Sequence, residues 1–298
     1  MSISGTGTQA DPYIVDTWAD FVTAVGESGV YVEVDTSNVN TWDFAKMVDG
    51  GLSSALSWAA TDVNGNGLTI KGLYASGSFS YMIHGGTGRR DIRNINFLDF
   101  SKPSSVTSFF YGKNVYFGNC RFSGIVDGGS FIVRATTNPQ AGYVFTTAEN
   151  DGVTKGCSFA LQFNGTATFG SAEYCDIYHG NLNFVKASES TSVWKVALYE
   201  SKITGEFPFA SINNMGGGQN VIDADISSIG TWTNNSGVTL VNTDKLAEGL
   251  TVPTGFTGVT SAQMLDVDAL AAVGFTAFPE TEPEEEPEEN TETTEGGE

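Results

Sequence analysis

Four ionisable side chains in the middle and latter half of the chain have the chemistry for acid–base work: Asp176, His179, Asp223 and Asp225. Glycoside cleavage needs two or three carboxylates facing one groove, and a histidine titrates near neutrality. When the short internal repeats are aligned, Asp176 and Asp225 fall in one row with Lys202 between them, a pattern that favours a neutralised charge ladder over a catalytic pair. His179 stands between Tyr178 and Gly180 with no partner identifiable from spacing, and reads as a surface-turn residue. His84, in Tyr81-Met82-Ile83-His84-Gly85-Gly86, reads as a strand end. Arg89, Arg90 and Arg93 lie beside Asp91 and Asp99, which points to a salt-bridged turn. Asn64-Gly65-Asn66-Gly67 is a turn signal, and no Lys-Ser/Thr follows it to complete a phosphate loop. There is no Gly-x-Ser-x-Gly elbow.

Aromatic side chains are the stronger lead to binding. Trp42, Trp58, Trp194 and Trp232 fall in or near expected loops, and Tyr178 is expected to point outward. Such rings stack on sugar faces or anchor interfaces; the competing reading is that they fill irregular core gaps. Residues 41–60, with Trp42, Phe44, Met47, Leu52, Leu56 and Trp58, are dense in large apolar side chains and suit a flank cover or a subunit contact.

The elements that must position these residues come from a repeated phrase. Asn119-Cys120-Arg121-Phe122-Ser123-Gly124 recurs as Gly156-Cys157-Ser158-Phe159-Ala160 and as Tyr174-Cys175-Asp176-Ile177-Tyr178. Fainter copies are Asn94-Ile95-Asn96-Phe97, Glu200-Ser201-Lys202-Ile203 and Asp223-Ala224-Asp225-Ile226. Each alternates, so residues two apart share a face on a strand. The alignment places a small inward row (Ile95, Cys120, Cys157, Cys175, Ser201, Ala224) beside a large one (Phe97, Phe122, Phe159, Ile177, Ile203, Ile226). Small beside large fills a narrow interior. Irregular copies at such spacing imply stacked coils. The expected fold is all-β: a single-stranded parallel β-helix solenoid with short capping helices at both ends, a β-sandwich being the structural alternative. The expected organisation is a lead-in with capping helix over residues 1–35, a body over 36–245, a C-terminal cap with a short helix over 246–278 and an acidic low-complexity tail over 279–298.

Capping signals flank the body. Thr17-Trp18-Ala19-Asp20 opens a helix carrying Phe21, Val22 and Val25 and stopping at Gly26. Thr260-Ser261-Ala262-Gln263 is a capping-box pattern, followed by an apolar stripe of Met264, Leu265, Leu270 and Val273 and a stop at Gly274. Three cysteines sharing one repeat position read as buried thiols, not as a disulfide framework. No Cys-x-x-Cys pair exists, and no metal or other cofactor is expected.

The net charge is −21. Residues 279–298 hold ten glutamates and no base, whereas the preceding 278 residues hold 25 acids and 14 bases. The tail composition predicts a solvated, unpacked segment. Nucleic acid is an unsuitable partner, because phosphate contacts need clustered Lys and Arg. No stretch is long and apolar enough for membrane insertion, and the first residues lack a basic region and an apolar signal segment.

Gly5-Thr6-Gly7-Thr8-Gln9-Ala10-Asp11-Pro12-Tyr13-Ile14-Val15 followed by a short helix resembles the opening of pectate-lyase-like β-helix proteins, as found in bacteriophage virion appendages and on bacterial surfaces. Residues 236–246, leading through Val252-Pro253-Thr254-Gly255-Phe256 to the final helix, look like the closing segment of β-helix structural proteins in phages of Gram-positive hosts. With the repeats, the resemblance spans most of residues 5–278. It implies a bacteriophage virion structural protein, a head or tail fibre or decoration component, assembled in the host cytoplasm beside other virion proteins. It would present a surface to cell-surface carbohydrate, as a homotrimer in many such appendages. It also leaves open a polysaccharide depolymerase (lyase or glycoside hydrolase) and a bacterial surface adhesin. Lyases of this kind typically hold calcium on carboxylates and use Arg or Lys as the base.

Overall fold

The computed structural model describes residues 3–47, 51–86, 88–134, 143–146, 156–170, 175–186, 193–194, 197–207, 211–212, 218–226, 231–232 and 237–276. The fold is all-β. Parallel strands dominate, and the helices are short: α1 (Trp18–Gly26), α2 (Ser261–Met264) and α3 (Val267–Ala272). Every pairing between strands among the described residues is parallel, in one sixteen-stranded, one five-stranded and one three-stranded sheet.

Between residues 89 and 170 the described strands recur in one order across three walls. Residues 89–93 of the strand Arg89–Lys102 lie in a first wall and residues 96–102 in a second; Ser108–Gly112 follows in a third. The next circuit runs through Asn114–Gly118, Arg121–Asp127 and Ser130–Arg134, each stacked on its predecessor. Tyr143–Thr146, Ser158–Asn164 and Thr168–Gly170 repeat the order once more. Parallel neighbours in a sheet lie roughly 4.8 Å apart, so each circuit advances the stack by that amount.

The second wall shows why the repeated phrase alternates. Its register runs through Asn96, Arg121, Ser158, Asn181, Lys202 and Val221, with Leu240 beyond. One residue further along, Phe97, Phe122, Phe159, Leu182, Ile203, Ile222 and Val241 form a continuous buried row. Phe122 stacks on Phe97 at 5.5 Å and on Phe159 at 5.4 Å. Burying one such ring stabilises the fold by about 2–3 kcal/mol.

One residue before the Asn96–Val221 row lies Ile95, Cys120, Cys157, Gly180, Ser201, Asn220 and Thr239. This row is small because it lies at a corner. Asn94, Asn119, His179 and Glu200 each adopt φ between 50° and 55° and turn the chain from the first wall into the second. That left-handed conformation is uncommon outside glycine. It takes the following N–H out of the strand ladder, and a side chain of the next circuit accepts it. Cys157 Sγ accepts the Cys120 N–H at 3.4 Å, Ser201 Oγ that of Gly180 at 2.9 Å, and Asn220 Oδ1 that of Ser201 at 3.1 Å. The same side chains reach back to first-wall carbonyls. Cys157 Sγ lies 3.4 Å from Phe117 O, Ser201 Oγ 3.2 Å from Ile177 O, and Asn220 Nδ2 donates to Leu198 O at 3.1 Å. Small polar side chains therefore satisfy buried backbone groups that no strand pairing can reach.

Cys175 does not belong to this row. It pairs with Tyr143, which pairs with Val115, so it lies in the first wall, and its expected place is held by Gly180. Ile177 likewise belongs to the first wall beside Phe145 and Leu198, and Ala224 pairs with Gly205. The expected inward rows were thus misaligned at two of their six places. Cys175-Asp176-Ile177 carries the right alternation, while the true row member has no side chain to mark it.

Two further corners are closed by inward-facing cations. Arg90 Nε lies 3.3 Å from Trp58 O and 3.1 Å from Gly85 O. Lys102 is fully buried and its ammonium donates to the carbonyls of Pro103, Asp127 and Gly128. Burial pushes the Lys102 pKa down to about 8, against the nearby Asp127 charge, which raises it.

The first helix forms where expected. Thr17 accepts from the Asp20 N–H as its N-cap, and Phe21, Ala24 and Val25 are buried. Phe21 meets Trp42 at 5.0 Å and Trp58 at 5.4 Å. Trp42, Phe44, Leu52, Leu56 and Trp58 therefore join the buried face of α1 in the main core. At the other end Thr260 and Gln263 form the expected capping box, but two short helices replace the single one. Asp266 starts the second by accepting from the Asp268 and Ala269 N–H groups. Leu270 is buried, whereas Leu265, expected in the apolar stripe, is 88% exposed. Gly274 ends the second helix at φ 76°.

Candidate functional site

The corner residues between the first and second walls carry the most distinctive surface chemistry. The strand Cys175–Tyr178 pairs with Ala197–Tyr199, setting Tyr178 against Tyr199. Their rings stack at 4.5 Å and 9°. The next residue of each strand, His179 and Glu200, takes the left-handed corner conformation. This aims both side chains outward, and His179 Nδ1 lies 3.2 Å from Glu200 Oε2. A carboxylate in that position accepts from the Nδ1–H and orients the ring. The patch thus combines two stacked phenol rings with an exposed imidazole–carboxylate pair. His179 therefore has a partner after all. Glu200 was missed, yet Tyr178-His179-Gly180 and Tyr199-Glu200-Ser201 share a Tyr-x-small frame that would have superposed the two.

Asp223 is a salt-bridged anchor. Its carboxylate lies 2.8 Å from Lys245 Nζ and 3.6 Å from Lys202 Nζ, and accepts from Asn242 Nδ2 at 2.7 Å. Burial acts to raise its pKa, but the hydrogen bonds from Lys245 and Asn242 and the two lysine charges outweigh it and hold it below the ordinary range. A carboxylate so fixed in its ionised form is a poor general acid.

The expected ladder of Asp176, Lys202 and Asp225 is not formed. Asp176 pairs with Val144 and Ala197 in the first wall, and its side chain lies outside the described residues. Asp225 is exposed and sits across from Glu206, while Lys202 is flanked by Asn181 and Val221. The cause is the same misalignment that displaced Cys175.

The tryptophans divide. Trp42 and Trp58 are core residues with 4% and 0% exposure, so their faces meet Trp18, Phe21 and Phe97 and not a ligand. The Trp194 and Trp232 backbones pair through Ile212, and their side chains lie outside the described residues. Tyr178 is the predicted aromatic that the structure places in the patch. A second aromatic cluster lies on the third wall, where Tyr111 stacks on Tyr81 at 4.0 Å and on His84 at 5.3 Å. Burial and the nearby Tyr111 hydroxyl raise the Tyr81 pKa.

The arginine cluster lies on a strand and not a turn. Arg89 pairs with Asp91 at 2.9 Å and covers the Tyr116 ring at 4.1 Å, and Arg93 Nε lies 3.1 Å from Asp62. Asp99 is bridged to Lys71 at 3.8 Å. A small cleft of about 50 Å³ opens here, lined by Gln9, Tyr31, Glu33, Asp62 and Arg93 among others. Burial raises the Asp62 pKa despite the Arg93 hydrogen bond. Among the described residues no cluster of His, Cys, Asp or Glu has the makings of a metal site, and no helix is long and apolar enough to cross a membrane. The acidic segment 279–298 lies outside the described residues.

No family model, curated protein or solved structure matches this chain.

Proposed function

We propose that this chain is a non-enzymatic bacteriophage virion protein, a head or tail fibre or decoration component. Its body would be a single parallel β-helix whose lateral corner recognises cell-surface carbohydrate. The observation that carries the reading is the Tyr178–Tyr199 stack beside the His179–Glu200 pair on a rigid run of parallel strands. Aromatic rings favour the C–H faces of sugars, and an adjacent acceptor–donor pair engages their hydroxyls. The fixed ionised state of Asp223 and the separation of Asp176 and Asp225 onto different walls support a binding role over a cleaving one.

Polysaccharide cleavage keeps one observation in its favour, the Asp62 carboxyl raised by burial in a cleft with Glu33 and Arg93. That cleft is small, about 50 Å³, and offers little surface to a polysaccharide.

The test is a screen of wall and capsular glycans from candidate Gram-positive hosts against wild-type protein and the Y199A/E200A variant. Retention of a glycan by wild type, weakened about tenfold or more in the variant, with the glycan recovered intact, is the expected result. Release of shortened glycan that stops in Asp62→Asn would support the depolymerase. Intact virions of the source phage lacking this polypeptide would end the appendage reading.

A further inference from the structure

We propose that the C-terminal helical cap is a docking tip for a protein partner that carries an apolar socket rimmed by lysine and arginine. Leu265 is 88% exposed and Val267 67%, more than any other large apolar side chain among the described residues. Single exposed apolar residues are ordinary on a protein surface, but these two flank Asp266 on a braced support. The Thr260–Gln263 capping box fixes α2, the Asp266 carboxylate caps α3, and Ser261 N–H donates to Asp244 Oδ2 at 2.8 Å. Beneath them Val259, Leu270 and Phe275 form a small core of their own with Val221 and Leu240. The pair is therefore a preorganised knob, the form in which a few side chains supply most of a binding energy.

Charge selects the occupant. From Leu246 to the end of the chain there are thirteen acids and no lysine, arginine or histidine. Asp266 and Asp268 are exposed beside the knob. Lys245, just before this stretch, is engaged with Asp223. A second copy would bring the same acidic surface against itself, which like-charge repulsion disfavours. A basic rim around an apolar pocket satisfies both features, and the acidic segment downstream would raise the encounter rate with such a partner.

The experiment uses the full chain and, as probe, a helical hairpin built from leucine and lysine whose apolar interhelical groove is rimmed by lysine, titrated by fluorescence anisotropy at low and high salt. Binding is expected to weaken as salt screens the charges. It should fall about tenfold or more in L265S/V267S, with the unfolding midpoint unchanged, and persist in I125S/V185S, which alters another exposed apolar pair. Equal affinity of wild type and L265S/V267S would reduce the interaction to charge attraction and overturn the proposal. So would an absence of binding, loss of binding in I125S/V185S, or self-association abolished by L265S/V267S. Glycan retention is read separately, so failure here leaves the lateral-patch reading standing.

Discussion

At the scale of single residues, the decisive feature is a hydrogen-bond relay along one buried corner. Each left-handed corner residue displaces an N–H from the strand ladder, and the side chain of the next circuit takes it up. Cysteine, serine and asparagine all serve because each is small and offers a polar atom at the needed reach. Asn220 makes two of these bonds, accepting from Ser201 N–H and donating to Leu198 O. Asn220→Ala leaves both groups buried and unpaired, at a cost of about 2–4 kcal/mol. A urea titration reads this directly, and a loss below about 0.5 kcal/mol, the range of a neutral surface change, would refute the relay. The small character of the row was legible from Cys120, Cys157 and Ser201. Its hydrogen-bonding purpose was not, because the partners are backbone groups one circuit away.

At the scale of elements, strands and caps were readable where local chemistry repeats. The buried stack of Phe97, Phe122 and Phe159 follows from alternation alone, and α1 from its Thr17 cap and apolar face. Register was lost where a circuit offers no side chain. The step from Cys157 leads to Gly180, so the copy at Cys175 took its place in the alignment and carried Asp176 with it. The single expected C-terminal helix became two because Asp266 is itself an N-cap.

The C-terminal helical segment is tied to the sheet through Asp223, Asn242 and Ser261, and the tie depends on pH. The Asp223 carboxyl is lowered in the folded protein, so its contribution is complete above the ordinary carboxylate value of 3.8 and is lost as pH falls below it toward the folded value. Amide exchange at Asn242 to Gln263 should quicken in that window in wild type. In Asp223→Asn the step should be absent. A step of equal size in the variant would place the acid sensitivity elsewhere.

At the scale of the whole molecule, the charge is divided lengthwise. The end beginning at Leu246 is wholly acidic, while all fourteen lysines and arginines lie before it. The asymmetry was visible in composition, but only the exposure of Leu265 and Val267 gives the acidic end a surface to use. The lateral patch was half visible: Tyr178 and His179 stand adjacent in sequence, whereas Tyr199 and Glu200 join them only through the parallel pairing of two strands 21 residues apart.

Stacking itself is what places every group discussed, and spin-label distances along the outward row measure it. With the three cysteines replaced, labels at Thr69 and Asn181 are four strands apart and at Thr69 and Lys202 five. Strand spacing predicts backbone separations of about 19 and 24 Å, rising by one increment per circuit. Separations that fail to grow from one strand to the next would contradict the parallel register and the lateral patch built on it.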